Sequence, residues 1–121
     1  MLGDAARLRL IALFVHMKQA LCVCEIVDAL DVPQYQVSRN IRHLKDAGLL
    51  SVRKTGTWAY YYLKNEGGFN RQLFDFLDWT LLSEAYSDDR RLMQARLSYR
   101  ERGRCKIGRV PHAQLREMIT D

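Results

Sequence analysis

Residues 21–49 read LCVCEIVDALDVPQYQVSRNIRHLKDAGL. Ile26, Val27 and Leu30 recur there at the spacing of one helix face, which predicts a short helix over Cys24–Leu30. Asp31-Val32-Pro33 ends it, because the residue before a proline resists helical geometry. A second helix is expected from about Pro33 to Ala47, with Val37, Ile41 and Leu44 as its buried stripe. Pro33 suits the first turn, where its missing N–H costs nothing, and Gly48 suits the C′ position that closes the helix. Two helices joined by a tight turn, the second polar and basic on its outer face, predict a helix-turn-helix.

Outward from this pair, Leu49–Lys54 and Trp58–Leu63 read as strands. Thr55-Gly56-Thr57 joins them, with Gly56 supplying positive φ, so the two form a hairpin wing. On the N-terminal side, Asp4 can cap a helix carrying Leu8, Ile11, Ala12, Val15 and Gln19 at helical spacing, thickened by Leu10, Leu13, Phe14 and Met17. Beyond an Asn65–Gly68 loop, a helix from about Phe69 to Ala85 carries Leu73, Phe74, Phe76, Leu77, Thr80, Leu81 and Leu82. Helices apolar over so much of their circumference are buried on more than one side, which predicts a dimer interface. A basic helix is expected over Asp89–Arg102. An irregular tail around Cys105, flanked by Gly103 and Gly108, follows it, and His112–Ile119 adds a short helical turn. The fold class is therefore mainly α with a small β-hairpin wing, a dimeric winged helix-turn-helix. Residues 1–88 form the DNA-binding and dimerisation domain, and residues 89–121 the basic C-terminal helix and tail.

A chain of 121 residues suits one domain with one modest core. No run approaches the ~18 apolar residues of a membrane span, and the N-terminus lacks a signal peptide's basic start. A cytoplasmic location without membrane contact is expected. Three cysteines are too few for a disulfide scaffold; in a reducing compartment they are thiols, free to bind soft metals or to react. The net charge of +5 hides a segregation. Residues 33–64 carry six Arg or Lys against Asp46 alone, residues 66–89 are acidic, and residues 90–109 carry eight Arg or Lys against Glu101 alone. Basic blocks beside an acidic one point to a polyanion partner. No Gly-rich phosphate loop, Ser/His/Asp set or paired-carboxylate pocket is evident, and the cysteine pair is CxC rather than the redox CxxC, so no enzyme is expected.

Taken together, Leu21-Cys22-Val23-Cys24-Glu25-Ile26, Val37-Ser38-Arg39, Leu44-Lys45-Asp46-Ala47-Gly48-Leu49, Trp58 and Tyr60-Tyr61-Tyr62-Leu63 resemble the ArsR/SmtB family of metal-responsive repressors. The resemblance covers about residues 5–85. It implies a winged-helix homodimer that represses an operon from double-stranded operator DNA and is released by a metal or metalloid. It places the second helix of the pair in the major groove, with Gln34, Tyr35, Gln36, Ser38, Arg39, Arg42 and His43 facing outward. Gln36 and Arg39 are the base-contact candidates, since glutamine pairs bidentately with adenine and arginine with guanine. Lys45, Arg53 and Lys54 are the phosphate anchors, the last two on the wing.

The CVC element of the resemblance makes Cys22 and Cys24 the metalloid ligands. In a regular helix residues two apart point roughly 200° apart, so gripping one ion requires the helix start to be irregular or to unwind. Arsenic-responsive relatives often carry a third cysteine three residues further on; here that position is Val27, and Cys105 is the remaining thiol. It can complete a three-thiolate site from its own subunit or across the dimer. Its neighbouring arginines are expected to lower its pKa. A site of Cys22 and Cys24 alone would suit methylated arsenic. His16, His43 and His112 show no ligand spacing, which leaves As(III) or Sb(III) as the expected inducer. The alternative is a thiol redox-sensing winged-helix regulator with the same fold.

Overall fold

The computed structural model describes residues 5–64, 67–80 and 86–120. Its elements run α1 (Ala5–Met17), α2 (Val23–Leu30), α3 (Gln34–Asp46), β1 (Leu50–Thr55), β2 (Trp58–Leu63), α4 (Gly67–Thr80), α5 (Ser87–Leu97) and α6 (His112–Ile119). The mainly helical winged helix-turn-helix is what the sequence predicts. The expected cap Asp4, and Leu81, Leu82 and Ala85 of the expected fourth helix, lie outside the described residues.

The helix-turn-helix forms for local reasons. Cys22 stands in extended geometry at the N-cap of α2, and Glu25 returns its carboxylate to the Cys22 N–H at 3.0 Å, which satisfies one of the donors a helix start leaves open. Asp31 ends α2 in the left-handed region at φ 55°. Pro33 is the N-cap of α3 rather than its first helical residue; its carbonyl accepts from the N–H of Gln36 and Val37. Gly48, at φ 80°, turns the chain out of α3 into β1. The hairpin pairs Leu50 with Leu63 and Thr55 with Trp58 in antiparallel register, and Gly56 takes φ 62° in its turn. A further bridge ties Leu21 to Tyr61, with reciprocal N–H to carbonyl bonds of 2.8 and 2.9 Å. The residue before Cys22 is thereby sewn to the wing.

One core runs through these elements. Leu10–Val15 of α1 are all buried, and they pack with Ile26, Ala29, Val37, Ile41 and Leu44 of the helix pair. Leu92 and Met93 of α5, Val110 and Leu115 belong to the same core, so the chain beyond residue 89 folds back onto α2. The width of α1 is thus absorbed within one chain and does not by itself call for a second copy. On α4, Phe76 is exposed. Helix α5 stops at Leu97, short of the expected Arg102, because Arg100 leaves the helical path to reach α2.

Ion pairs fix this return. Arg96 is fully buried, and its Nε donates to Asp28 Oδ2 at 2.9 Å; the Val110 N–H donates to the same oxygen at 2.8 Å. Arg109 Nε lies 3.1 Å from Asp28 Oδ1, although off hydrogen-bond alignment. On the other flank, Arg9 of α1 grips Asp89 of α5 through two bonds of 2.8 and 2.9 Å. Removing one partner of a buried pair strands the other's charge, at about 3–5 kcal/mol, whereas replacing both with apolar groups is often neutral. Arg96→Met is therefore expected to lower unfolding free energy in urea by about that amount, and Arg96→Met with Asp28→Leu to recover most of it. Equal losses in the two variants would show that Asp28 is not the stranded charge.

Candidate thiol site and DNA-reading surface

Cys22, Cys24 and Cys105 meet at the start of α2. Cys22 and Cys105 are buried in one cluster with Tyr60, and Cys24, half-buried, packs against it. The Sγ atoms of Cys24 and Cys105, 81 residues apart, are separated by 3.8 Å. Cys22 lies close enough to Cys24 for each to shift the other's acidity. Of the two expected alternatives, a helix start that is irregular or one that unwinds, the structure has the first. Cys22 lies outside the helix, at an extended N-cap, so the constraint on side-chain angles within a regular helix does not apply to it.

Four contacts place Cys105. The segment Glu101–Arg104 is a tight turn, with Arg102 at φ 53° and Gly103 at φ 74° and reciprocal backbone bonds of 2.9 Å between Glu101 and Arg104. The Cys105 N–H donates to the Tyr60 hydroxyl at 2.8 Å. Arg100 donates through Nε and Nη2 to the two oxygens of Glu25, both at 2.7 Å, and through Nη2 to the Ala20 carbonyl at 2.7 Å; its guanidinium also lies over the Tyr60 ring. Arg96 Nη2 donates to the Ile107 carbonyl at 2.6 Å, pinning the chain just past the thiol. Glu25 thus holds the Cys22 backbone and the Arg100 side chain together. Sequence reasoning missed Glu25, Tyr60, Arg96 and Arg100. The available signal was a pair of acids, Glu25 and Asp28, inside an otherwise apolar helix, with a surplus of arginine in the tail.

The thiols differ in acidity. Cys24 is drawn down to about 7, first by the hydrogen bond from Cys22, then by that from Cys105 and by the Arg96 charge, against the opposing effect of burial. Cys22 is pushed up by donating to Cys24, by burial and by the Glu25 carboxylate. Burial likewise raises Cys105 to about 11, with the negative charges of Cys24 and Glu25 adding to it. This reverses the expectation that neighbouring arginines lower Cys105, since Arg102 and Arg104 are exposed while the thiol is buried. Cys24 is thus the most acidic thiol of the cluster. Among the described residues no set of three or more His, Cys, Asp or Glu is spaced as a ready-made cation site. The sulfurs form a cluster that a ligand would have to close.

Helix α3 is laid out as its pattern predicts except at Gln36, which was expected to face outward and is half-buried. Val37, Asn40, Ile41 and Leu44 are buried, while Gln34, Tyr35, Ser38, Arg39, Arg42, His43 and Lys45 are exposed, Tyr35 to 70%. Gln36 is half-buried beside Arg9 and Asn40. The buried Asn40 accepts from Arg7 Nε at 3.2 Å, which ties α3 to α1. Arg53 and Lys54 are both exposed, but successive strand residues face opposite ways. Arg53 stands opposite Tyr60 and over the Tyr62 ring, while Lys54 stands opposite Ala59.

The sequence is similar to those of known transcriptional regulators. Residues 2–53 match the helix-turn-helix domain family. An uncharacterised HTH-type transcriptional regulator of Methanocaldococcus jannaschii is 39% identical over 64 residues, 53% of this chain and 71% of that protein. The arsenic resistance transcriptional regulator ArsR1 of Pseudomonas putida is 40% identical over 65 residues, 54% of this chain and 50% of that protein. The cadmium resistance transcriptional regulatory protein CadC of Listeria innocua is 34% identical over 64 residues, 53% of each chain. The matches to the arsenic and cadmium regulators thus span about half the length of those relatives. The fold and these relatives define a winged-helix transcriptional regulator. Within that class, the chain belongs to the ArsR family.

The thiol geometry predicts selective alkylation. Iodoacetamide is expected to label Cys24 first, because the thiolate is the nucleophile. A group whose pKa is lowered to about 7 is thiolate above that pH and loses the charge below it. The Cys24 rate should therefore level off above about pH 8 and fall to roughly one-tenth at pH 6. Peptide mapping that finds Cys105 or Cys22 modified first would contradict the assignment.

Proposed function

We propose that this chain is a DNA-binding repressor of a metalloid-resistance operon that leaves its operator when As(III) or Sb(III) binds the thiolates of Cys22, Cys24 and Cys105. The observation that carries the reading is the 3.8 Å contact between the sulfurs of Cys24 and Cys105, with Cys22 buried in the same cluster. Three thiolates bound at ~2.3 Å to one pyramidal atom lie roughly 3.4 Å apart, so the Cys24–Cys105 pair is within reach of one ligand and must draw closer to hold it. Capture by arsenous acid balances simply. Each sulfur–arsenic bond displaces one hydroxyl as water, with the Cys22 and Cys105 thiols supplying two of the protons and solvent the third.

Coupling to DNA follows from what the sulfurs are attached to. Cys22 and Cys24 open α2, which precedes the groove-reading helix α3. Cys105 is bonded to Tyr60 of the wing, and Leu21 is paired with Tyr61 of the same strand. Closing three sulfurs on one atom draws on the start of α2, the tail and the wing together. A ligand that favours the closed arrangement and an operator that favours the open one weaken each other reciprocally, commonly by 5- to 150-fold.

In this reading Gln36 and Arg39 contact bases, and Gln34, Tyr35, Ser38, Arg42, His43, Lys45, Arg53 and Lys54 complete the surface laid on the duplex. The protein acts as a homodimer on half-sites related by a two-fold axis, with exposed Phe76 of α4 on the subunit contact. It works in the cytoplasm, away from the membrane; no described helix is long and apolar enough to cross one.

The same sulfur pair favours one second reading. Oxidation of the Cys24 thiolate by peroxide to a sulfenic acid would let Cys105 condense with it, releasing water and forming a disulfide. One titration separates the two, using an operator selected in vitro from random-sequence duplexes. Arsenite added to the reduced protein is expected to weaken operator binding by about 5- to 150-fold, read by fluorescence anisotropy. Cys22→Ser, Cys24→Ser and Cys105→Ser are each expected to bind the operator as wild type does and to lose most of that response. Release by peroxide with no response to arsenite would replace the metalloid reading with the redox one.

A further inference from the structure

Almost every arginine of the C-terminal third has a partner. Arg96 and Arg109 meet Asp28, Arg100 meets Glu25, Arg116 meets Asp88, Arg90 meets His16, and Arg91 meets the Ile119 carbonyl. Arg102 and Arg104 differ. Both are exposed, and among the described residues neither guanidinium has a carboxylate at ion-pair distance. They occupy the tight turn that presents Cys105, and Arg102 does so at φ 53°. An L-residue with a long side chain is disfavoured in that region, and asparagine or glycine is what such a turn ordinarily selects. The turn therefore holds an arginine where its backbone would favour another residue.

These two side chains share a cleft with the wing. A cavity of about 550 Å³ is lined by Arg53, Thr55, Tyr60, Arg100, Arg102 and Arg104, among others. Arg53 stands on the Tyr60 face of the hairpin, held over the Tyr62 ring, so its charge is presented on the side where the tail turn lies. Arg100 is neutralised by Glu25, but Arg53, Arg102 and Arg104 are not, and Glu101 is the one acid of the turn. Three uncommitted guanidinium groups around an open cleft, on two elements far apart in sequence, make a site for phosphate oxygens, because the planar fork binds them bidentately.

We infer that the Glu101–Arg104 turn is a second phosphate-contacting element for duplex DNA, continuing the wing surface begun by Arg53. This inference rests on the DNA-binding reading above and extends the contact surface to residues 102 and 104. It also has a mechanical consequence. The phosphate contact lies next to Cys105, so an atom that draws Cys105 toward Cys24 displaces the arginines as well. Tail and reading helix then lose DNA together.

The salt dependence of binding tests the inference. Each phosphate contact contributes about 0.9 to the slope of log K against log salt concentration. Arg102→Asn with Arg104→Gln removes both charges while keeping a residue that tolerates left-handed φ. On a fluorescein-labelled duplex of mixed sequence, titrated between about 50 and 200 mM KCl, this double variant is expected to show a slope smaller by roughly 1.8 per bound protomer, or roughly 3.6 for a dimer. Arg102→Lys with Arg104→Lys is expected to keep most of the wild-type slope. An unchanged pH dependence of Cys24 alkylation confirms that the turn and thiol cluster are still folded in each variant. A wild-type slope in the Asn/Gln variant overturns the inference while leaving the regulator reading intact. A wild type with no salt-dependent affinity for the duplex overturns both. Inorganic phosphate, titrated into DNA-free protein and followed through the arginine Nε–H resonances, covers the other source of the same chemistry. Saturable phosphate binding lost in the Asn/Gln variant, with no change in the DNA slope, would assign the cleft to a free oxyanion and overturn the DNA contact.

Discussion

Two carboxylates inside the first helix of the pair govern the course of everything after residue 86. Glu25 and Asp28 are buried among apolar neighbours, where an unpaired charge is prohibitively costly. Each must therefore be met by a cation, and the tail supplies both: Arg100 for Glu25, Arg96 and Arg109 for Asp28. Once Arg96 and Arg100 are committed four residues apart, the chain between α5 and α6 has little freedom. The turn at Glu101–Arg104 then sends Cys105 back under Tyr60 and against Cys24. The sulfur contact follows from acid–arginine pairing rather than from any preference of the thiols for each other.

The same pairing ties the start of α2, the wing and the tail to one small site, which is what the proposed sensor requires. Glu25 caps the Cys22 N–H and binds Arg100, so the start of α2 and the tail share a single carboxylate. Tyr60 accepts from the Cys105 N–H and lies under the Arg100 guanidinium, which brings the wing into the same assembly. The helix beside α3, the wing and the tail meet where the three cysteines cluster with Tyr60. An ordinary core contact would hold these elements in one arrangement. A cluster of thiols holds them through weak, replaceable contacts, which a covalent ligand can exchange for shorter and stronger ones.

Much of the fold was legible because it rests on local rules. Pro33, Gly48 and Gly56 mark three boundaries, β2 and α6 span the residues their patterns predict, and the Val37, Ile41 and Leu44 stripe faces the core. Cys22 and Cys24 were legible as a pair, but their geometry was not. Helical periodicity cannot tell an N-cap from a first turn, and that single residue decides whether the two thiols diverge or meet. The supports of the site were least visible. The Glu25–Arg100 and Asp28–Arg96 pairs span 75 and 68 residues, and no periodic pattern encodes contacts at that range. The tail arginines, read as one basic block, divide into those spent on α2 and those left in solvent, a distinction that only burial reveals.

Arsenic K-edge X-ray absorption on the protein loaded with one equivalent of arsenite tests the convergence of the three sulfurs most directly. It should find three sulfur neighbours and no oxygen around arsenic in the wild type, and two sulfurs with one oxygen in Cys105→Ser. Two sulfurs in both proteins would mean that the tail thiol is not drawn onto the ligand, and the link between the start of α2 and the tail would fail as the basis of sensing.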